Sequence, residues 1–351
     1  MNIVVGNDTI ARNKTVVSAK EAMPKDGKPT LKTIALMSGL AVPTVSRALN
    51  DAPDIGAKTK ELVRKIAADI GYVPNRAGVR LRTGRTNVIS LVISTEHENH
   101  TARMISSIAA GLDNTRFHLN VTPYSPQDDL LKPVRYIVET GSADAIILNQ
   151  IEPDDPRVSY LMERKFPFAT HGRSNWADKH PYCDFDNAAF GRIASAKLAA
   201  RERKAIAMIC PPLQQNYSQH MLEGFQDGAV QNNQTMKRIE GITSDDPPVT
   251  LAPFLEDYLR KNPETDAIIA PSLGSAMASV AAAEALGKKV GHEIDVVSKE
   301  RTAILKILRA DILTVSEAVG EAGNFLAKAA IQAVREPDLP PMQFLEVPNP
   351  D

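Results

Sequence analysis

"AVPTVSRALN", Ala41 to Asn50, decides how the first part of the chain is read. Proline at position 43 falls in the first turn of a helix beginning near Val42, where a missing N–H is no loss. Val45, Ala48 and Leu49 recur at helical spacing and turn inward, which leaves Val42, Pro43, Thr44, Ser46 and Arg47 facing outward. Just upstream, Thr30 can cap a helix through "LKTIALMS", whose Leu31, Ile34, Ala35 and Met37 share a face, and Gly39 ends it with a left-handed turn. Two short helices around a glycine turn predict a helix-turn-helix. A third helix, "AKTKELVRKIAADIG", carries Leu62, Val63, Ile66, Ala67 and Ile70 on one stripe and stops at Gly71.

In such a motif the second helix enters the DNA major groove with its N-terminal residues against base edges. Thr44 and Ser46 can donate to phosphate oxygens, and Asn50 sits where the helix exits toward the backbone. Arg47 differs, because its planar fork can hold guanine O6 and N7 together. Val42 and Pro43 offer only apolar surface, suited to a thymine methyl. Charge placement agrees. Residues 30–86 hold ten Lys and Arg against four Asp and Glu, although the whole chain has a net charge of -1. A basic module joined to an acidic bulk suits a protein that holds a polyanion at one end.

Residues 1–29 show no sustained period and end in "MPKDGKP", which reads as a disordered extension or an upstream start. Past the basic stretch "YVPNRAGVRLRTGRT" the composition changes. The short apolar runs "VISLVIS", "ADAIILN", "FPFATHG", "KAIAMIC", "TDAIIAP" and "EIDVVS" alternate with helical segments, the pattern of parallel sheets covered on both faces. At 351 residues and 43% hydrophobic the chain can bury more than one core. No run approaches a membrane span and no signal-peptide series opens the chain, so a cytoplasmic protein without membrane contact is expected. Cys183 and Cys210 stand alone and read as buried thiols.

"TLKTIALMSGLAVPTVSRALND" followed by "IGAKTKELVRKIAADIGYVPNRAGVRLRTGRT" resembles the headpiece and hinge of the lac/galactose repressor (LacI-type) family. The later segments "PFATHGR", "YCDFDNAAFGRIASAKL" and "MLEGFQDGA" are similar to the family's periplasmic-binding-protein-like core. The fold expected is therefore a small all-α helix-turn-helix headpiece plus an α/β two-lobed core. The resemblance implies a headpiece over 30–74, a hinge helix and linker over 75–86, one lobe from 87–184 and 312–337, and a second from 185–311 and 338–351. It adds Thr30, Tyr72, Asn75, Arg76 and Leu81 to the DNA-contacting set, with Leu81 wedged between central base pairs in the minor groove. Gly78 replaces the family's usual alanine in the hinge, and Ala41 its usual serine before the recognition helix.

The function implied is a sequence-specific transcriptional regulator, a repressor, bound as a homodimer or as a tetramer to a pseudo-palindromic operator on double-stranded DNA. An effector between the lobes would control it. The loops implied for that effector carry His97, Asn149, Asp186, Gln219, Met221, Ser272 and Glu300. Met221 stands where the family commonly has arginine, Glu300 replaces its usual acidic loop residue, and Pro271-Ser272 replace its Asn/Asp pair. Polar acceptors such as Glu300 and Gln219 still suit a carbohydrate, polyol or sugar-derived metabolite. No cofactor is expected. Neither His97 with His100 nor His180 with Cys183 completes a metal-ligand pattern, and no nucleophile, nucleotide or dinucleotide motif suggests an enzyme. Two alternatives stay open: a DNA-binding dimer whose core only dimerises, and a solute-binding protein.

Overall fold

The computed structural model describes residues 27–73, 80, 84–94, 98–125, 128–299 and 303–348. The chain divides into two compact units, Met1–Arg85 and Thr86–Asp351.

In the first unit α1 (Leu31–Ser38), α2 (Val42–Leu49) and α3 (Ala57–Asp69) surround a small core of Ile34, Ala35, Val45, Ala48, Val63 and Ala67. Each boundary has a local cause. Thr30 is extended and its hydroxyl accepts the Thr33 N–H at 3.3 Å, while the Thr33 hydroxyl accepts the Thr30 N–H at 3.1 Å. This reciprocal cap starts α1, and Gly39 at φ 70° ends it. Pro43 occupies the first turn of α2. The loop after α2 is stapled to α3, for Asp51 pairs with Arg64 and its carbonyl accepts Lys60 Nζ at 3.1 Å. One expected core residue is not there: Leu62 is 45% exposed, and the buried stripe of α3 runs through Val63 and Ala67.

The second unit contains two parallel sheets. Its first part runs β1 (Val88–Ser94), α4 (Glu98–Leu112), β2 (His118–Tyr124), α5 (Leu131–Thr140), β3 (Ala145–Leu148), α6 (Pro156–Glu163), β4 (Phe168–His171) and β5 (Tyr182–Phe185). Its second part runs α7 (Asn187–Ala199), β6 (Ala205–Met208), α8 (Asn216–Gln231), β7 (Thr235–Arg238), α9 (Pro248–Lys261), β8 (Ala267–Ile269), α10 (Leu273–Ala285), β9 (Asp295–Ser298), α11 (Ala303–Leu308) and β10 (Leu313–Thr314). The chain then returns through α12 (Val319–Arg335) to β11 (Gln343–Glu346). The sheets are ordered β11-β5-β4-β3-β1-β2 and β10-β9-β8-β6-β7. Central strands such as β3 and β9 are buried throughout, as strands covered on both faces must be.

The tail departs from the expected lobe assignment. β10 lies beside β9 in the second sheet, not in the first lobe, and β11 pairs with β5 in the first sheet, not the second lobe. The cause is α12. Its buried face, Val319, Ala322, Leu326, Ala327, Ala329 and Ala330, packs into the cluster containing Ile89, Leu91, Met104 and Ala145, so the strand that follows lands on that sheet's edge. A Cβ added at Gly323 would meet Ser107 Oγ at 1.8 Å, which shows how closely α12 approaches α4. In the same way a Cβ at Gly224 would lie 2.0 Å from the Ala188 carbonyl oxygen, so glycine sets the α7–α8 contact. Both cysteines are buried and free. Burial pushes the Cys210 thiol up to about 11 and the Cys183 thiol further still. Among the described residues no helix is long and apolar enough to cross a membrane.

Candidate functional site

Among the described residues, polar groups gather at the outer face of α2 and at a cleft in the second unit. On α2 Pro43 and Arg47 are exposed, Thr44 is half-buried, and Asn50 is exposed at the helix end, its amide donating to the Ser46 carbonyl at 2.6 Å. Arg47 Nη2 lies 2.5 Å from Asp54 Oδ2. Three expected contacts sit differently. Ser46 is buried at 8% exposure, because it falls about 60° around the helix from Leu49 and is small enough to enter the edge of the apolar stripe. Val42, on that same side, is half-buried and packs against the headpiece core instead of facing outward. Tyr72 also packs on that core, held by its N–H to the Ala67 carbonyl at 2.8 Å. Thr30 is exposed, with its hydroxyl engaged in the cap. Asn75, Arg76 and Leu81 lie outside the described residues.

The second place is the cleft in the second unit, where the carboxyl ends of both parallel sheets meet. Strand ends supply its lining: Asn149 and Gln150 after β3, His171 on β4, Asp184 and Phe185 on β5, Pro271 and Ser272 after β8, and Lys299 after β9. Glu317 and Val319 follow β10, His100 and Arg103 come from α4, and Tyr217 from the first turn of α8.

At the cleft's centre a buried carboxylate joins both sheets. Glu317 Oε1 lies 2.9 Å from His171 Nε2 and its Oε2 lies 2.9 Å from Lys299 Nζ. Burial alone would raise the Glu317 pKa; the Lys299 ammonium and the His171 hydrogen bond prevail and hold it well below the usual carboxylate range. Lys299 also donates to Asn187 Oδ1 at 3.1 Å and lies 4.5 Å from the centroid of the Phe185 ring. The His100 and His171 rings lie 5.4 Å apart. Ligating atoms of His100, His171 and Glu317 fall within 4.8 Å of one another, a donor set that a divalent ion could use, but Lys299 already balances the carboxylate. His180 is committed elsewhere, its ring nitrogens lying 2.9 Å from Ser174 Oγ and 3.1 Å from the Pro181 carbonyl.

A second buried pair positions the amides. Arg157 is fully buried, and its guanidinium donates to both carboxylate oxygens of Asp155 and to the carbonyls of Asn149 and Gln150 at 3.1 and 2.8 Å. That brace fixes the loop in which Gln150 takes a left-handed φ of 52°. Asn149 Oδ1 and Gln150 Nε2 are buried and have no hydrogen-bond partner among the described residues.

Residues 30–75 match the family model "Bacterial regulatory proteins, lacI family", and residues 196–350 match "Periplasmic binding protein-like domain". The chain thus carries a lacI-family helix-turn-helix domain followed by a periplasmic-binding-protein-like domain. It is a DNA-binding transcriptional regulator of the helix-turn-helix type, not an enzyme. It is 26% identical over 324 residues to the HTH-type transcriptional regulator AglR of Rhizobium meliloti (strain 1021), covering 87% of each chain. Similar folds include a transcriptional regulator CelR-cellobiose complex, with a TM-score of 0.67, 21% identity and coverage of 92% and 98% of the two chains. They also include a lac repressor dimer bound to operator and the anti-inducer ONPF, with a TM-score of 0.77, 18% identity and coverage of 92% and 97%.

In this regulator the cleft brings together only part of the expected effector set. Asn149 and Ser272 line it. Asp186 does not, because its carboxylate caps α7 by accepting the Ala189 N–H at 2.8 Å. Gln219 is exposed and donates to the Leu213 carbonyl at 3.1 Å. Met221 is fully buried between α7 and α8, packed with Phe190 and Phe225. The position the resemblance assigned to ligand therefore belongs to the core. His97 and Glu300 lie outside the described residues. His171, Lys299 and Glu317 escaped the sequence reading because each is a single polar residue at a different strand end. Only the convergence of two sheets makes them neighbours.

Proposed function

We propose that this regulator is a repressor that binds a pseudo-palindromic operator as a dimer and responds to a hydroxyl-rich carbohydrate in the cleft. Asn149 Oδ1 and Gln150 Nε2, buried and without a partner among the described residues in a cleft that Phe185 and Tyr217 also line, carry this reading. Leaving a buried acceptor and donor unmet costs free energy that sugar hydroxyls, each donor and acceptor at once, recover. Phe185 and Tyr217 add apolar lining against which the C–H groups of a sugar ring can rest. Relatives point the same way: one similar structure is a complex with cellobiose.

On DNA, α2 lies in the major groove, Arg47 reads a guanine, and Pro43, Thr44 and Asn50 line the contact. Each dimer half meets one half-site. Binding of sugar between the two sheets alters their angle and so the affinity of the dimer for operator, by differential affinity for the two arrangements. The test is selection of duplexes from a random pool by the full chain, followed by titration of the selected site with neutral disaccharides and sugar acids. A sugar that moves operator affinity severalfold supports the reading. No preferred duplex, or a preferred duplex that no sugar affects and no sugar binding by calorimetry, overturns it in favour of a core that only dimerises.

A further inference from the structure

The α2–α3 loop carries two acidic residues with different partners. Asp51 pairs with Arg64 and Lys60 of α3 and so holds the loop to its own scaffold. Asp54 instead pairs with Arg47 on the exposed face of α2. We propose that Asp54 is a specificity-determining positioning residue, a carboxylate that holds the Arg47 guanidinium in the orientation that reads guanine. This rests on the reading of Arg47 as the base-contacting arginine.

The pair has little structural reason to exist. Arg47 and Asp54 side chains are 57% and 46% exposed, a setting in which ion pairs add almost nothing to stability. The backbone beneath Asp54 is nevertheless fixed. The Ala52 N–H donates to the Arg47 carbonyl at 3.1 Å, the Ile55 N–H donates to the Ala52 carbonyl at 3.1 Å, and Ile55 packs on the headpiece core. A short carboxylate side chain on a fixed backbone therefore faces a long one with more freedom to move. Arg47 Nη2 carries two hydrogens, so it can donate one to Asp54 and keep the other, with Nη1, for the base edge. Fixing the side chain beforehand removes ordering entropy that would otherwise be lost on binding. The same negative charge repels phosphates wherever the guanidinium has no guanine to occupy it, which penalises unspecific sequences.

The experiment measures binding of the full chain to its selected duplex, to that duplex with the contacted guanine replaced, and to random duplex over a salt series. Asp54→Asn is expected to reduce discrimination at that single base pair about fivefold, to leave other positions unchanged, and to tighten binding to random duplex. Asp54→Glu should recover part of the discrimination. Arg47→Ala should remove it, and adding Asp54→Asn to Arg47→Ala should cost nothing more at that position. Melting temperatures of the Asp54 variants should match the parent, because both side chains are exposed. Full discrimination in Asp54→Asn, with loss in Arg47→Ala, overturns the positioning role and leaves the base-reading role standing. Full discrimination in Arg47→Ala overturns both.

Discussion

The headpiece and the core use charge in opposite ways. On α2 the Arg47–Asp54 pair lies in solvent, where it adds little to the stability of the fold, and such a pair suits a surface that must meet DNA. In the cleft Glu317 is only 5% exposed, held by His171 and Lys299, and near it Arg157 and Asp155 are fully buried. Removing one member there strands the other in a medium that solvates it poorly. The exposed Arg47–Asp54 pair serves recognition, whereas the buried Arg157–Asp155 pair holds a loop in place.

The comparison breaks most readily at Arg157. Arg157→Ala should cost about 3–5 kcal/mol and release the Asn149–Gln150 loop, so that sugar binding is lost with stability. Scanning calorimetry checks it, and a loss below about 1 kcal/mol would show that the brace is not what holds the loop. Next comes Glu317→Gln, expected to cost about 1–3 kcal/mol by leaving Lys299 without its counter-charge. Its pH dependence sharpens the point. A carboxylate whose folded pKa is depressed contributes stability that is complete above its ordinary value near 4.5 and is lost as pH falls toward the folded one. The parent should therefore lose stability faster than Glu317→Gln as pH is lowered below about 4.5, and parallel urea midpoints for the two chains would refute the assignment. A smaller effect is expected in the headpiece, where Thr30→Ala removes a reciprocal cap worth about 1 kcal/mol, read from thermal melting of that unit. Smallest is Leu62→Gln, which should stay within about 0.5 kcal/mol because Leu62 faces solvent, whereas Val63→Ala should be clearly destabilising.

How much of this was legible follows from how local each cause is. The three headpiece helices could be read directly, because Thr30, Gly39, Pro43 and Gly71 act on their immediate neighbours and the apolar period does the rest. Ser46 is less legible, because its residue type suggests exposure whereas its angular position on an eight-residue helix buries it. The alternation of apolar strands and helices was equally readable. β11 was not, since it is an edge strand with Gln343 and Phe344 exposed and shows none of the continuous apolar character of β3. Its sheet is chosen by α12, far away in the sequence. In the cleft, Asn149 and Ser272 were reached through loop position after a strand, but Met221 shows the limit of that transfer: the side chain is absorbed by the α7–α8 contact. Glu317, Lys299 and His171 are separated by up to 146 residues and have no shared period to betray them.

The parallel order of both sheets has one more consequence. Because strand ends at the cleft open into loops, lining side chains such as Asn149 and Gln150 contribute nothing to the apolar clusters beneath. A descendant of this chain could exchange them one at a time and still fold. Inherited variation in what the molecule senses is thereby uncoupled from variation in whether it survives as a folded chain, and new responsiveness can arise through single amino-acid replacements.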